Sequence, residues 1–571
     1  MQAPCTADDI GDCLFSISAE SVGRIEDALR SPTTSARLSE DSSRGCGQSA
    51  RGFASCFSER QTVGCYSWIA RDDEHTVASP GLPPVVSRAA SVTQGQALKG
   101  RVIKKSSKLE FCDENAYHDP QHPVEQLVCS VDACQRRWAT QGRVSAPCAC
   151  VRVLREQQKA WADGPVPSVH RRCSLKRDEP SLGDGRTQAT ATATPRDETA
   201  VETGLCLGQF DFITDRTNLR VLLRFLYPGV TRYSREASVD LDVYGNVCVL
   251  TRISAETRAP DVGYGHSFEH CCCETQTVSL GEKGAVKDDT YEIVDLSSFH
   301  LVQAFTLCDA VRVLVRSEVD ACCHPAARAA PDCPEKFQEN RFFGRCGARV
   351  ANPEYTPMAQ QGPTLYLSRQ EPANLTPFET ALLAREEWLL MELKSVSERY
   401  VSNIPWLDIY FQMRLGDIHR LLVASHTQGK IGRVELLTLT SVAEKAFRQT
   451  PHRRNVTNRA PIQGDRRSPW TSDDSRNTAC SRVEPECAAE VVYWSRLTSL
   501  LLQLKQLALN QRGDDGKAFL RIQVTEEPTF HVYRRKQGRP RVSADIGSAI
   551  MKCSLAQRVY DSKPSGYTSS Q

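Results

Sequence analysis

The chain has 571 residues, with 71 Lys plus Arg against 69 Asp plus Glu, a formal net charge of +2. Charge this close to balanced neither supports nor excludes a nucleic-acid partner, because a basic groove can be local on a neutral protein. A 40% hydrophobic composition without a run of about 18 apolar residues excludes a membrane-spanning helix, and 24 cysteines without dense regular spacing exclude a disulfide scaffold.

The N-terminal Met-Gln-Ala-Pro-Cys stretch has neither a basic n-region nor an apolar h-region, so the expectation is an intracellular protein with most cysteines reduced. Residues 1–60 are rich in Ser, Thr, Arg, Gly and Asp and read as disordered. A single large domain is expected over 61–545, with flexible insertions near 150–203, 322–385 and 450–485 and a tail at 546–571. Cys65 through Pro84 reads as an ordered, irregular wrap rather than helix or strand. Cys129, Cys134, Cys148 and Cys150 supply four thiols, but their spacing fits no common zinc module, and free cysteines are the reading.

Regular order is expected again at Phe210–Asp215. Leu219, Leu222, Leu223 and Leu226 then form the stripe of a short helix closed by Pro228-Gly229. Val239, Leu241 and Val243 alternate into a Gly245-Asn246 turn, and Val247, Val249 and Thr251 alternate out of it, ending at Arg252. Gly263-Tyr-Gly-His-Ser-Phe-Glu269 predicts a tight approach and a helix start carrying Glu269 near its N-terminal end. A second hairpin turns at Cys308-Asp-Ala310, and on its return strand Glu318 and Asp320 share a face with Arg312 and Arg316.

The strand from Trp388 to Val396 puts Glu392 and Lys394 on one face and Met391 and Leu393 on the other. A helix near 404–415, a third hairpin over 418–439, a helix from Ala488 to Leu509 and a terminal hairpin into the basic run Arg534–Arg541 complete an α+β pattern. Taken one at a time, the acids have bland explanations: Glu269 as a turn cap, Glu318 and Asp320 paired with Arg312 and Arg316 on a solvated strand. His266, His270, His324 and Cys271-Cys-Cys273 offer no compatible pair spacing for zinc.

As a set, acids and a lysine on adjacent strands are the parts that metal-assisted phosphoryl transfer uses. This is the logic of the PD-(D/E)xK nuclease superfamily. In order, Gly263-x-Gly265-x-x-x-Glu269, Glu318-Val-Asp320, Glu392-Leu-Lys394 and Gln412 resemble the motif series of the eukaryotic decapping exoribonucleases. A wider likeness, to a group of fungal proteins, is carried by Tyr66-Ser-Trp68, Pro80-Gly-Leu-Pro-Pro84, Asp113-Glu-Asn115, Phe210-Asp-Phe-Ile-Thr-Asp215 and Val315-Arg-Ser-Glu-Val-Asp320.

The resemblance implies mixed, largely antiparallel β-sheets flanked by helices around a PD-(D/E)xK-like core. It implies a metal-dependent hydrolase acting on RNA 5′ ends, removing defective or NAD caps and degrading RNA 5′→3′, with two Mg²⁺ or Mn²⁺ ions. By position, Glu269, Glu318, Asp320 and Glu392 would be the metal-site acids and Leu393 would lend its carbonyl; Lys394 and Gln412 would position water, and Arg252 would contact RNA. A 5′→3′ exoribonuclease partner and a nuclear rather than cytoplasmic location follow from the same likeness. The connection from Asp320 to Glu392 is longer than in that family, which loop-closure entropy tolerates. A catalytically inactive RNA- or protein-binding relative is the alternative reading.

Overall fold

Period-two strands, turn glycines and one-sided helix stripes fold this chain into two mixed sheets with helices on their faces, an α+β architecture. A computed structural model describes residues 10–18, 22, 56–69, 77–86, 98–106, 123–139, 205–227, 237–252, 262–274, 276–281, 291–323, 354–358, 365–368, 379, 382–384, 390–449, 485–524, 529–536, 540–542 and 544–561. In chain order the strands are β1 (Ile10–Ser18), β2 (Phe57–Ile69), β3 (Val77–Ser79), β4 (Val85–Val86), β5 (Phe212–Asp215), β6 (Ala237–Tyr244), β7 (Val247–Arg252), β8 (Cys273–Glu274), β9 (Thr277–Gly281) and β10 (Tyr291–Leu307). They continue with β11 (Val311–Val319), β12 (Ala321–Cys322), β13 (Glu354–Met358), β14 (Leu365–Ser368), β15 (Leu390–Ser397), β16 (Arg420–Thr427), β17 (Lys430–Thr438), β18 (Lys517–Val524) and β19 (Thr529–Arg535). The helices are α1 (Pro123–Ala139), α2 (Arg216–Leu226), α3 (Gly265–Cys272), α4 (Trp406–Gly416), α5 (Leu439–Gln449), α6 (Pro485–Asn510) and α7 (Ala544–Asp561).

The large sheet runs β1-β19-β18-β6-β7-β5-β11-β10-β2-β3-β14-β13-β9, and β9 also pairs with β10, so one end closes on itself. The small sheet runs β17-β16-β15-β12-β4-β8. Most neighbours are antiparallel; β5 with β11 and β15 with β16 are parallel. One of the chain's passages between the sheets takes a single residue. β11 ends at Val319 in the large sheet, β12 begins at Ala321 in the small one, and Asp320 lies between them.

The expected stripe of α6 is core: Trp494, Leu497, Leu501, Leu504 and Ala508 are fully buried beside Tyr410 and Phe411 of α4. Helix α2 is pinned to α4 by Asp408, which accepts from Arg220 and from Arg224, each through two nitrogens. Burial works against the Asp408 carboxylate, but the two guanidiniums win and hold it down to about 2. Its contribution is therefore complete above the ordinary value of 3.8 and disappears as pH falls toward about 2. Asp408→Asn should cost about 3 kcal/mol in urea unfolding at neutral pH and much less in strong acid; equal costs at both would refute the pairing.

Several sequence expectations are corrected. Within the segment expected to be disordered, Ile10–Ser18 pairs antiparallel with β19, with Ile17 buried. The expected irregular wrap is β2, β3 and β4; Gly64 through Ile69 are buried on both faces, so no alternation marks them. The expected tail at 546–571 begins with α7, whose Ile546, Ala549, Ile550 and Cys553 are buried at helical spacing. Inside the expected insertion at 322–385, β13 and β14 join the large sheet, and buried Glu379 accepts from Arg137 and from Trp138 Nε1. The insertions at 150–203 and 450–484 lie outside the described residues, as do Cys148 and Cys150. Cys134 is buried against Cys65, bonded to its backbone. The C-terminal basic run is partly structural: Arg535 and Arg541, with Arg521, surround buried Asp240 and Asp242. Among the described residues no helix is long and apolar enough to cross a membrane.

Candidate active site

Strand β15 has two chemical faces because its side chains alternate. Met391 and Leu393 pack into a small core with Phe268 and Cys272 of α3 and Leu422 and Ala424 of β16. Glu392 and Lys394 point the other way, toward the junction of the two sheets. There Lys394 Nζ lies 3.2 Å from Asp320 Oδ2 and 3.2 Å from Glu392 Oε2. The backbone N–H of Leu393 donates to the same Asp320 oxygen at 2.8 Å. Gln412, on α4, donates through Nε2 to Glu392 Oε2 at 2.6 Å. The pieces expected from three separate stretches, Asp320, Glu392 with Lys394, and Gln412, therefore touch.

Glu269 and Glu318 stand at the rim. Glu269 is the fifth residue of the eight in α3, not at its N-terminal end, and its Oε2 is 3.4 Å from His266 Nδ1. Both acids act on Asp320 electrostatically, and Glu269 acts on Lys394 as well. Glu318 lies opposite His300 on β10, and the His300 ring stacks on Tyr66 at 4.9 Å. Burial, then the charge of Arg316, pushes His300 down to about 3, so its imidazole is neutral. Arg316 pairs with Asp215 at 2.5 Å and donates to Tyr66 Oη at 2.7 Å.

Sequence reading missed Arg216. Its Nη1 is 2.5 Å from Glu392 Oε1, and both side chains are buried. Arg216 opens α2 on the same stripe as Leu219, Leu222, Leu223 and Leu226, so a cation on the apolar face of a short helix was the available signal. Arg252, the arginine expected to contact RNA, is exposed at the end of β7, two strands from β11.

Electrostatics follow from this packing. Burial raises Glu392; Arg216 opposes and Asp320 adds to the rise. Burial raises Asp320 too; Lys394 opposes, and Glu269 and Glu318 push it higher. Burial alone would strip Lys394 of its proton, but Asp320, Glu392 and Glu269 outweigh it and hold the ammonium charged. Carboxylates thus dominate the centre: Asp320 and Glu392 share Lys394, Arg216 holds Glu392, and Glu269 and Glu318 add negative field at Asp320.

That negative field and the all-oxygen donor set suit a hard divalent cation. The side chains do not form a ready cage: among the described residues no three His, Cys, Asp or Glu groups come together as metal ligands. Glu392 already accepts from Arg216, Lys394 and Gln412, which leaves about one of a carboxylate's four lone-pair positions. The oxygen donors are of the type a hard dication takes, but the described side chains bring no set of three together for one ion or for the two expected.

No protein-family model matches the chain, and no curated protein matches it. Among solved structures the chain is similar to S. pombe Rai1, with 10% identity, covering 91% of this chain and 99% of that one at a TM-score of 0.36. It is similar to K. lactis Dxo1 in complex with manganese, with 9% identity, 85% and 92% coverage and a TM-score of 0.37. A third similarity is to Candida albicans Rai1 in complex with pU5-Mn²⁺, with 11% identity, 60% and 75% coverage and a TM-score of 0.31.

Proposed function

We propose that this chain is a metal-dependent phosphodiester hydrolase acting on RNA 5′ ends. The observation that carries the reading is the convergence of Asp320, Glu392, Lys394 and Gln412 from three chain segments onto the junction of the two sheets, where Glu269 and Glu318 add negative field at Asp320. A buried acid cluster of this kind has no stabilising rationale of its own, because each uncompensated carboxylate raises the cost of the others. A divalent cation at Asp320, with Glu269 and Glu318 as further carboxylate donors, would supply Lewis-acid polarisation of a phosphoryl oxygen. The chain's own residues do the rest. Lys394 keeps a fixed positive charge where phosphoryl charge develops, Arg216 and Gln412 hold Glu392 in one orientation, and neutral His300 carries no competing charge.

The test is turnover of capped, NAD-capped and 5′-phosphorylated RNA with and without Mn²⁺. Wild type should need the metal, and Glu318→Ala/Asp320→Ala should lose at least about 10²–10³-fold in rate. Equal rates for the two proteins would end this reading. The burial of Glu392, which is inaccessible to solvent, favours a second one: a noncatalytic RNA-binding relative. RNA binding insensitive to EDTA, with no turnover on any 5′ end, would select it. A nuclear location and a 5′→3′ exoribonuclease partner rest on the motif resemblance alone.

A further inference from the structure

Outside the acid centre, the segment Leu98-Lys-Gly-Arg-Val-Ile-Lys-Lys-Ser106 has four cations and no acid. Lys99, Arg101, Lys104 and Lys105 are all exposed, as is Lys430 beside them. Among the described residues none of the five has a carboxylate partner.

A solvated basic loop would explain the charge but not the anchoring. Leu98 and Ile103 are buried in the small core shared with Phe268 of α3 and Leu393 of β15. The backbone is clamped to the β16–β17 hairpin by Gly100 N–H to Ile431 O at 2.8 Å, Ile103 N–H to Gly429 O at 2.9 Å and Ile431 N–H to Arg101 O at 2.9 Å. Gly429 has a φ of +87°, and a Cβ there would meet Ile103 O at 2.2 Å, so the approach requires glycine. At its other end, Ser106 exchanges both backbone hydrogen bonds with Gly263, at 2.9 and 3.0 Å. Gly263 and Tyr264 lead directly into α3, which carries Glu269. The ribbon is thus a fixed element that runs from the hairpin tip to the rim of the acid centre.

An aromatic ring stands where the ribbon meets that rim. Tyr264 is half-buried, 5.9 Å from Lys105 Nζ and 4.4 Å from the His426 ring. Cations without carboxylate partners, in a row beside an aromatic side chain, are the elements of single-strand recognition: the charges follow phosphates and the ring stacks a base.

We propose that residues 98–106, with Lys430 and Tyr264, form the track along which single-stranded RNA is held as its end enters the acid centre; this rests on the RNA reading of that centre. The ribbon supplies the positive charge that the acid centre, with its surplus of carboxylates, cannot.

The test is binding of a fluorescent single-stranded RNA, long enough to span the ribbon, to the full-length chain in EDTA, measured over a salt series. The variant Lys99→Gln/Arg101→Gln/Lys104→Gln/Lys105→Gln should bind roughly 10- to 100-fold more weakly at low salt, and its slope of log affinity against log salt should be shallower by about 3. An unchanged melting temperature would verify that these exposed substitutions leave the fold alone. Wild-type affinity and slope in the variant would overturn the track. Loss of duplex DNA binding with single-stranded RNA binding intact would overturn it in favour of a duplex-binding face. A wild-type chain that binds no RNA at all would instead remove the RNA reading on which the proposal rests.

Discussion

Lys394→Ala should lower turnover on the responsive RNA substrate by about 10²–10³-fold, the loss seen when a single fixed donor to transition-state charge is removed. The ammonium is wedged 3.2 Å from each of two carboxylates, and their field keeps it protonated against the pull of burial. In that state the lysine offers a fixed positive charge that orients the groups around it. The substitution also leaves Asp320 and Glu392 facing each other without their shared cation. With the lysine side chain 28% accessible, a structural cost of about 2–3 kcal/mol in urea is expected near neutral pH. Wild-type turnover in Lys394→Ala would refute the assigned role, and the urea measurement separates lost chemistry from lost fold.

Arg216→Ala is expected to have the largest effect on stability, about 3–5 kcal/mol, because it leaves an inaccessible carboxylate short of its nearest charge partner. Its sign with pH can be worked out. Glu392 is already raised from its ordinary 4.5 by burial, so the folded protein binds this proton more readily than the unfolded chain. A group of that kind contributes most to stability below its unfolded value and loses the contribution as pH rises toward the folded one. Asp320, also raised, adds to the same trend. Without Arg216 the rise is larger, so the deficit of Arg216→Ala should be small below the ordinary value of 4.5 and grow as pH rises above it. Adding Glu392→Gln to Arg216→Ala should recover part of the loss, since removing both partners of a buried pair costs less than stranding one. A deficit independent of pH, or no coupling in that cycle, would show that the ion pair is not what Arg216 contributes.

The local pattern made much of this legible. Glu392-Leu-Lys394 alternates on a strand, Gly245-Asn246 turns a hairpin, and the α6 stripe faces the core, because each of these is a property of neighbouring residues. What escaped was not local. The second half of strand β2, Val63–Ile69, is buried on both faces and shows no alternation, and β1 depends on a partner more than 500 residues away in β19. The grip of Arg216 on Glu392 spans 176 positions, and no spacing rule reaches so far. Asp320 looked like the next residue of a strand after Glu318. In space it is the step between two sheets, a break one residue long that side-chain periodicity cannot signal.

That step has a consequence for how the centre comes into being. Glu318 belongs to the large sheet and Glu392 to the small one, Gln412 arrives on a helix, and Asp320 hinges between the sheets. The bonds that Asp320 accepts from Leu393 and Lys394 sit beside the small sheet's own pairing of Ala321 with Met391, whereas Glu318 comes from the large sheet and Arg216 and Gln412 come from helices. The full set is therefore complete only when these elements are docked together, and local opening would strip the centre of Glu318, Arg216 and Gln412 while Asp320 and Lys394 stay paired.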